Sequence, residues 1–164
     1  MRPDTTMTVT TPTDTSLVFT RTFAAPRALV FDAFTTPALL RRWMIGPEGW
    51  RMSVCEVDPV PGGRFRYVWS RHGAADMGMG GTFVEIDPPG RIVHRELFDE
   101  DWTGGETLVT TVLDERDGRT HMTLTVEYAT REARDGALAT GMTGGMEMSY
   151  ARLEELGGIQ WPCP

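Results

Sequence analysis

Residues 130–158 read TREARDGALATGMTGGMEMSYARLEELGG, and their periodicity decides the architecture. Leu138, Met142, Gly145, Met146, Ser149, Leu153 and Leu156 recur at three- and four-residue steps, which places them on one face of an amphipathic helix. Thr130 suits the N-cap, Glu132 sits in the first turn, and Gly157-Gly158 ends the pattern. The spacing predicts one long helix from Thr130 or Arg131 to Leu156. Gly136, Gly141, Gly144 and Gly145 lie inside it, and each interior glycine costs roughly 1 kcal/mol relative to alanine. Either the missing side chains leave open volume beneath a covering sheet, or the helix kinks or begins properly only near Gly141. Both readings stay open, and both can hold.

Upstream of this helix the period changes to two. Ser16–Ala24 alternates apolar and polar residues and reads as a strand. Pro26 opens a short helix carrying Ala28, Leu29, Phe31, Ala33 and Phe34, and Pro37 restarts the chain into a second one, Ala38–Met44. Strands are expected at Arg51–Val57, Arg64–Arg71, Gly81–Asp87, Arg91–Phe98, Glu106–Glu115 and Arg119–Tyr128, with His72–Met79 a loose segment. Asp117-Gly118 marks a hairpin turn. Short turns between consecutive strands imply an antiparallel meander. A seven-stranded sheet cannot leave its apolar face wet, and one long helix is available to cover it. The expected fold class is α+β: a helix-grip fold, a curved seven-stranded antiparallel sheet around a long C-terminal helix, with two short helices after the first strand.

The expected organisation is a flexible leader at 1–16, one domain at 17–157 and a tail at 158–164. The leader lacks the apolar run of a secretory signal, which points to a cytoplasmic protein. The net charge of −7 argues against nucleic acid, since phosphate binding needs a basic face. No apolar run or basic amphipathic helix indicates a membrane. Cys55 and Cys163 make no disulfide framework. With His72, His94 and His121 they show no ligand-pair spacing, so no metal site is expected, and no motif calls for a cofactor. Nucleophile elbows and phosphate-binding glycine loops are absent from the sequence.

The segments FAAPRALVFDAFTTPALLRRWM, PGGRFRYVW, GTFVEIDPPGRIVHRELFD, DGRTHMTLTVEY and GMTGGMEMSYARLEEL run in this order from Phe23 to Leu156. In order and spacing they resemble the Hsp90 ATPase activator homologue-like branch of the START/Bet v 1-like (SRPBCC) superfamily. The resemblance implies a sheet gripping the last helix, and between them a cavity for an apolar or amphipathic small molecule. It implies no catalytic residue set. The co-chaperone activity of eukaryotic members depends partly on an additional amino-terminal domain, for which this chain has no room.

Candidate site residues follow from strand and helix faces. In Arg91–Phe98, Ile92, His94, Glu96 and Phe98 share one face, and the other carries Arg91 and Arg95. Burying unpaired guanidinium is costly, so His94 and Glu96 should turn toward the helix, to orient a ligand or act as an acid/base pair. The opposite facing, or an internal ion pair with Arg64, Arg66 or Arg119, is the structural alternative. Phe65, Tyr67 and Trp69 form an aromatic stripe, with Trp43 and Trp102 nearby. Met142 and Met146 suit either an adaptable wall or ordinary core filling. Thr110, grouped with Leu108 and Val112, could add a hydroxyl; Val109, Thr111 and Leu113 form the equally acceptable inward set. Three functions are compatible with this set. The first is binding of an apolar or aromatic ligand lined by Trp43, Tyr67, Trp69, His94, Glu96, Thr110, Met142 and Met146. The second is a cofactor-free cyclase, dehydratase or hydrolase using Glu96 or His94. The third is an interaction or stress-response protein that meets a chaperone, or its own copy as a homodimer.

Overall fold

The computed structural model describes residues 7–101 and 103–157. β1 (Thr8–Thr10) and β2 (Ser16–Phe23) lead into α1 (Arg27–Thr35) and α2 (Pro37–Trp43). Six strands follow: β3 (Arg51–Val57), β4 (Arg64–Ser70), β5 (Met77–Asp87), β6 (Arg91–Phe98), β7 (Thr107–Arg116) and β8 (Arg119–Glu127). Two helices, α3 (Arg131–Ala139) and α4 (Met142–Gly157), complete the chain.

All strands pair antiparallel in one open sheet, in the order β1-β2-β8-β7-β6-β5-β4-β3. β3 to β8 form the expected meander, and β8 docks on β2 from Ser16↔Glu127 to Phe23↔Thr120. The connection from β2 to β3 must therefore cross the five strands between them, and α1 and α2 make that crossing. Prolines start both helices: Pro26 is the N-cap of α1, and Pro37 occupies the first turn of α2. Leu40 and Trp43 of α2 are buried, as their spacing predicts.

The α+β class and the antiparallel sheet agree with expectation, with three differences in detail. The sheet has eight strands rather than seven, because Thr8–Thr10 of the expected leader pairs with β2 through Thr8↔Thr20 and Thr10↔Val18. Its β-branched residues suit an edge strand, and Met7 beside it is buried. Residues 1–6, Trp102 and the tail with Cys163 lie outside the described residues.

Secondly, the C-terminal helix is two helices. Thr130 caps α3 as expected, its Oγ1 accepting from the Ala133 amide at 3.0 Å. The helix then ends at Gly141, whose φ of +79° lies in the left-handed region that terminates helices. α4 begins at the next residue.

Thirdly, β5 starts at Met77, inside the segment expected to be loose. Its glycines disguise it. A Cβ on Gly78 would overlap the Asp99 carboxylate, and one on Gly81 would overlap the Arg95 carbonyl and the Phe65 ring. These glycines permit close strand approach rather than a turn.

One face of the sheet carries the core. Leu17, Phe19, Phe23, Leu113 and Met122 are buried there with Val30, Leu40 and Trp43 of α1 and α2 and Leu153 of α4. Two polar ties fix α4 over this face. Arg21 of β2 donates to Glu154 at 3.0 Å, and Arg152 donates to the Gly46 carbonyl at 2.6 Å. Glu154 also accepts from the Ala24 amide at 2.8 Å.

Candidate functional site

Alternate residues of five strands point at α4, and between the sheet and α4 they leave a cavity of about 550 Å³. This lies within the usual range of small-molecule sites, roughly 300–1,000 Å³. β4 contributes Phe65, Tyr67 and Trp69; β6 contributes Ile92, His94, Glu96 and Phe98; β7 contributes Thr107, Val109 and Thr111. On the helical side Met142, Gly145, Met146, Ser149 and Tyr150 face the same space. Phe34 of α1, Trp43 of α2 and Trp50 of the following loop complete that wall.

Seven of the eight expected lining residues, Trp43, Tyr67, Trp69, His94, Glu96, Met142 and Met146, are thus brought together. Thr110 is not. In β7 the set Val109, Thr111 and Leu113 is buried, so Thr110 belongs to the opposite face and Thr111 supplies the hydroxyl. Sequence reasoning also passed over Tyr128 and Tyr150. Signals for both existed: Tyr128 continues the Leu124, Val126 alternation, and Tyr150 lies four residues beyond Met146.

The walls are rich in aromatic rings, and two of their indole N–H groups are turned away. Trp43 Nε1 donates to the Ala33 carbonyl at 2.9 Å, and Trp69 Nε1 to the Met44 carbonyl at 2.7 Å. Both indoles therefore offer the cavity carbon surface only. Trp43 stacks on Tyr150 with centroids 5.9 Å apart, and Phe34 meets Trp43 edge-on at 5.1 Å.

Against this apolar lining stands one charged constellation. His94 Nε2 lies 2.9 Å from Glu96 Oε2, and the two side chains retain 18% and 19% of their exposure. The His94 ring is wedged edge-on against Phe65 at 5.1 Å and Phe83 at 6.2 Å. Gly81 lies directly opposite Glu96 across β5 and β6. Having no side chain, it lets the Phe65 ring lean over the strand toward His94. His94 Nδ1 is sealed from solvent and has no hydrogen-bond partner. That environment fits the tautomer in which Nε2–H donates to Glu96 and Nδ1 is a bare lone pair. The expected inward facing is therefore observed, and the arginine alternative is not: Arg66 pairs with Asp99 at 2.6 Å instead.

The chain has three tyrosines, Tyr67, Tyr128 and Tyr150, and all of them line the cavity. Burial raises each phenol above its ordinary value, Tyr128 to about 12, and the Glu96 charge adds to the shift in all three. A folded pKa above the unfolded value gives stability that is complete below about pH 10 and lost as pH rises toward the folded value. Spectrophotometric titration of the folded protein should therefore show almost no phenolate near pH 10. Absorbance should rise only near 12 or with unfolding. Phenolate forming at the ordinary value would contradict this packing.

No cluster of three or more His, Cys, Asp or Glu side chains able to hold a metal occurs among the described residues. No helix there is long and apolar enough to cross a membrane.

Comparison with known proteins places this architecture. A solved protein from Rhodobacter sphaeroides is 39% identical, with a TM-score of 0.87 over 92% of this chain and 96% of that one. One from Nitrosomonas europaea is 25% identical, with a TM-score of 0.79 over 92% of this chain and 100% of the other. A Plasmodium falciparum protein described as an HSP90 activator shares the fold at 24% identity, with a TM-score of 0.62 over 88% of this chain and 96% of that one. No curated protein matches. The family model for activator of Hsp90 ATPase homolog 1-like proteins matches residues 24–158, from the end of β2 through α4. With the resemblance carried by segments along that same span, the chain belongs to the activator of Hsp90 ATPase homolog 1-like family.

Proposed function

We propose that the protein binds an apolar or aromatic small molecule bearing one polar group, held between the sheet and α4. The observation that carries this reading is the cavity itself: about 550 Å³ with aromatic walls and one polar pair, His94 and Glu96. Apolar walls supply affinity by desolvation, and a few placed polar groups supply orientation. Trp43, Tyr67, Trp69, Met142 and Met146 are assigned to the apolar body of the ligand, and His94 and Glu96 to its polar end.

Titration with the uncharged dye Nile red tests this directly. Saturable one-to-one binding with quenching of tryptophan emission is expected, because Trp43, Trp50 and Trp69 line the space. Native mass spectrometry of freshly purified protein should show a co-purified small molecule. A protein that neither carries a molecule nor takes up the dye would sink the reading.

The His94–Glu96 hydrogen bond favours a second reading, cofactor-free proton transfer in a cyclisation, dehydration or hydrolysis. Glu96 would move the proton and His94 would hold the carboxylate in place. Glu96→Gln should then end turnover while binding of the uncharged dye persists. The family's name supports a third reading, contact with Hsp90. It requires that the purified chain change ATP hydrolysis by a purified Hsp90, and an unchanged rate would count against it.

A further inference from the structure

Resting on the cavity reading above, we propose that the polar group of the ligand is a protonated amine seated against Glu96. The argument is one of charge. All sixteen basic residues of the chain are arginines, and none among the described residues lines the cavity. The nearby ones are engaged elsewhere: Arg21 with Glu154, Arg152 with the Gly46 carbonyl, Arg41 with the Met52 carbonyl and Arg66 with Asp99. Arg71 rests on the Trp50 ring, 5.3 Å from its centroid, and is not a lining residue.

Among the described residues Glu96 is the one carboxylate in the lining, and its one hydrogen bond is between its Oε2 and His94, which leaves Oε1 without a partner among them. His94 positions the carboxylate through Nε2, while its Nδ1, sealed and unpartnered between Phe65 and Phe83, offers a ligand no further contact. A carboxylate or phosphate ligand entering this space would meet a like charge and no guanidinium.

An ammonium meets the opposite. Its N–H groups would be met by Glu96, and the same cavity is lined by Tyr67 and Tyr150, each of which carries a hydroxyl. Hydroxyls both donate and accept, so they serve the cation as acceptors. The remaining charge spreads over aromatic faces, Trp43 and Trp69 above all, whose N–H groups are already spent on backbone carbonyls. The ligand class is accordingly an aromatic or alicyclic body carrying a primary or secondary amine.

The test is a matched set with one apolar body: naphthylmethylamine, naphthylmethanol and naphthylacetate, titrated calorimetrically into the whole chain at neutral pH. The amine should bind about tenfold or more tighter than the carboxylate, with the alcohol between them. Glu96→Gln should remove the amine's advantage over the alcohol. A carboxylate that binds as tightly as the amine overturns the inference, as does an amine preference that survives Glu96→Gln. The wild-type ranking decides even if that variant does not fold. If the alcohol binds and the amine gains nothing over it, the inference falls and the cavity reading stands. If none of the three binds while Nile red does, the inference falls and the cavity reading stands.

Discussion

Leucine in place of Gly145 should abolish ligand binding and at the same time make the protein more stable. Gly145 lines the cavity from α4, and a Cβ built on it meets nothing within 4 Å. Its backbone is not in the left-handed region, so a side chain is conformationally welcome. Replacing an interior helical glycine gains about 1 kcal/mol in helix propensity, or roughly 2–4 °C in Tm for a chain of this size. The isobutyl group then extends into the space a ligand needs, and Nile red affinity should fall by about tenfold or more, since each ~1.4 kcal/mol of lost contact is a factor of ten. Gly144→Ala is the control. Gly144 also has open space around it but does not line the cavity, so stability should rise with binding intact. If Gly145→Leu keeps full affinity, the ligand does not lie where we place it.

The largest loss of stability is expected from Glu154→Ala. Arg21 keeps only 7% of its side-chain exposure, and Glu154 is its carboxylate partner at 3.0 Å. Its guanidinium also lies over the Phe23 ring, 4.7 Å from the centroid. Removing the acid strands a buried cation and costs about 3–5 kcal/mol, a large share of a typical 5–15 kcal/mol total. It also deletes the acceptor for the Ala24 amide. Arg21 is on β2 and Glu154 on α4, so the helix over the cavity loses one of its two polar ties and dye binding should weaken too. Urea denaturation measures the first effect and titration the second. A cost below about 1 kcal/mol would mean that the pair behaves like an exposed surface bridge. The double variant Arg21→Met with Glu154→Leu should recover much of the loss, because an apolar pair leaves no stranded charge.

The strands and short helices were legible because their signals are local. Alternation in Arg91–Phe98, with two arginines on one face, was enough to turn His94 and Glu96 inward. β7 was ambiguous for the same physical reason: Leu108, Thr110 and Val112 are as apolar as Val109, Thr111 and Leu113, so alternation alone cannot choose a face. Pairing with β6 through His94↔Val109 settles it, and that register is a tertiary fact. Gly78, Gly80 and Gly81 hid the start of β5, because a glycine tolerated for close approach looks in sequence like one placed for a turn. β1 was invisible for want of length; the alternation of Thr8, Val9 and Thr10 is too short to establish a period. The break at Gly141 was visible only as one of two readings, since propensity sums do not say where a φ turns positive.

That break has a consequence for the order of events in folding. A helix that stops and restarts must be nucleated twice. The sixteen residues of α4 inherit no ordered turn from α3, and Gly144 and Gly145 weaken their first two turns further. α4 therefore becomes helical only when Tyr150, Leu153 and Leu156 find the sheet, Trp43 and Phe23 already assembled. It should behave as a separate cooperative unit, closing last during folding and opening first under mild denaturant. Native-state hydrogen exchange should find the amides of Gly144–Met148 in the least protected helical class, so the sheet beneath the cavity outlives its cover.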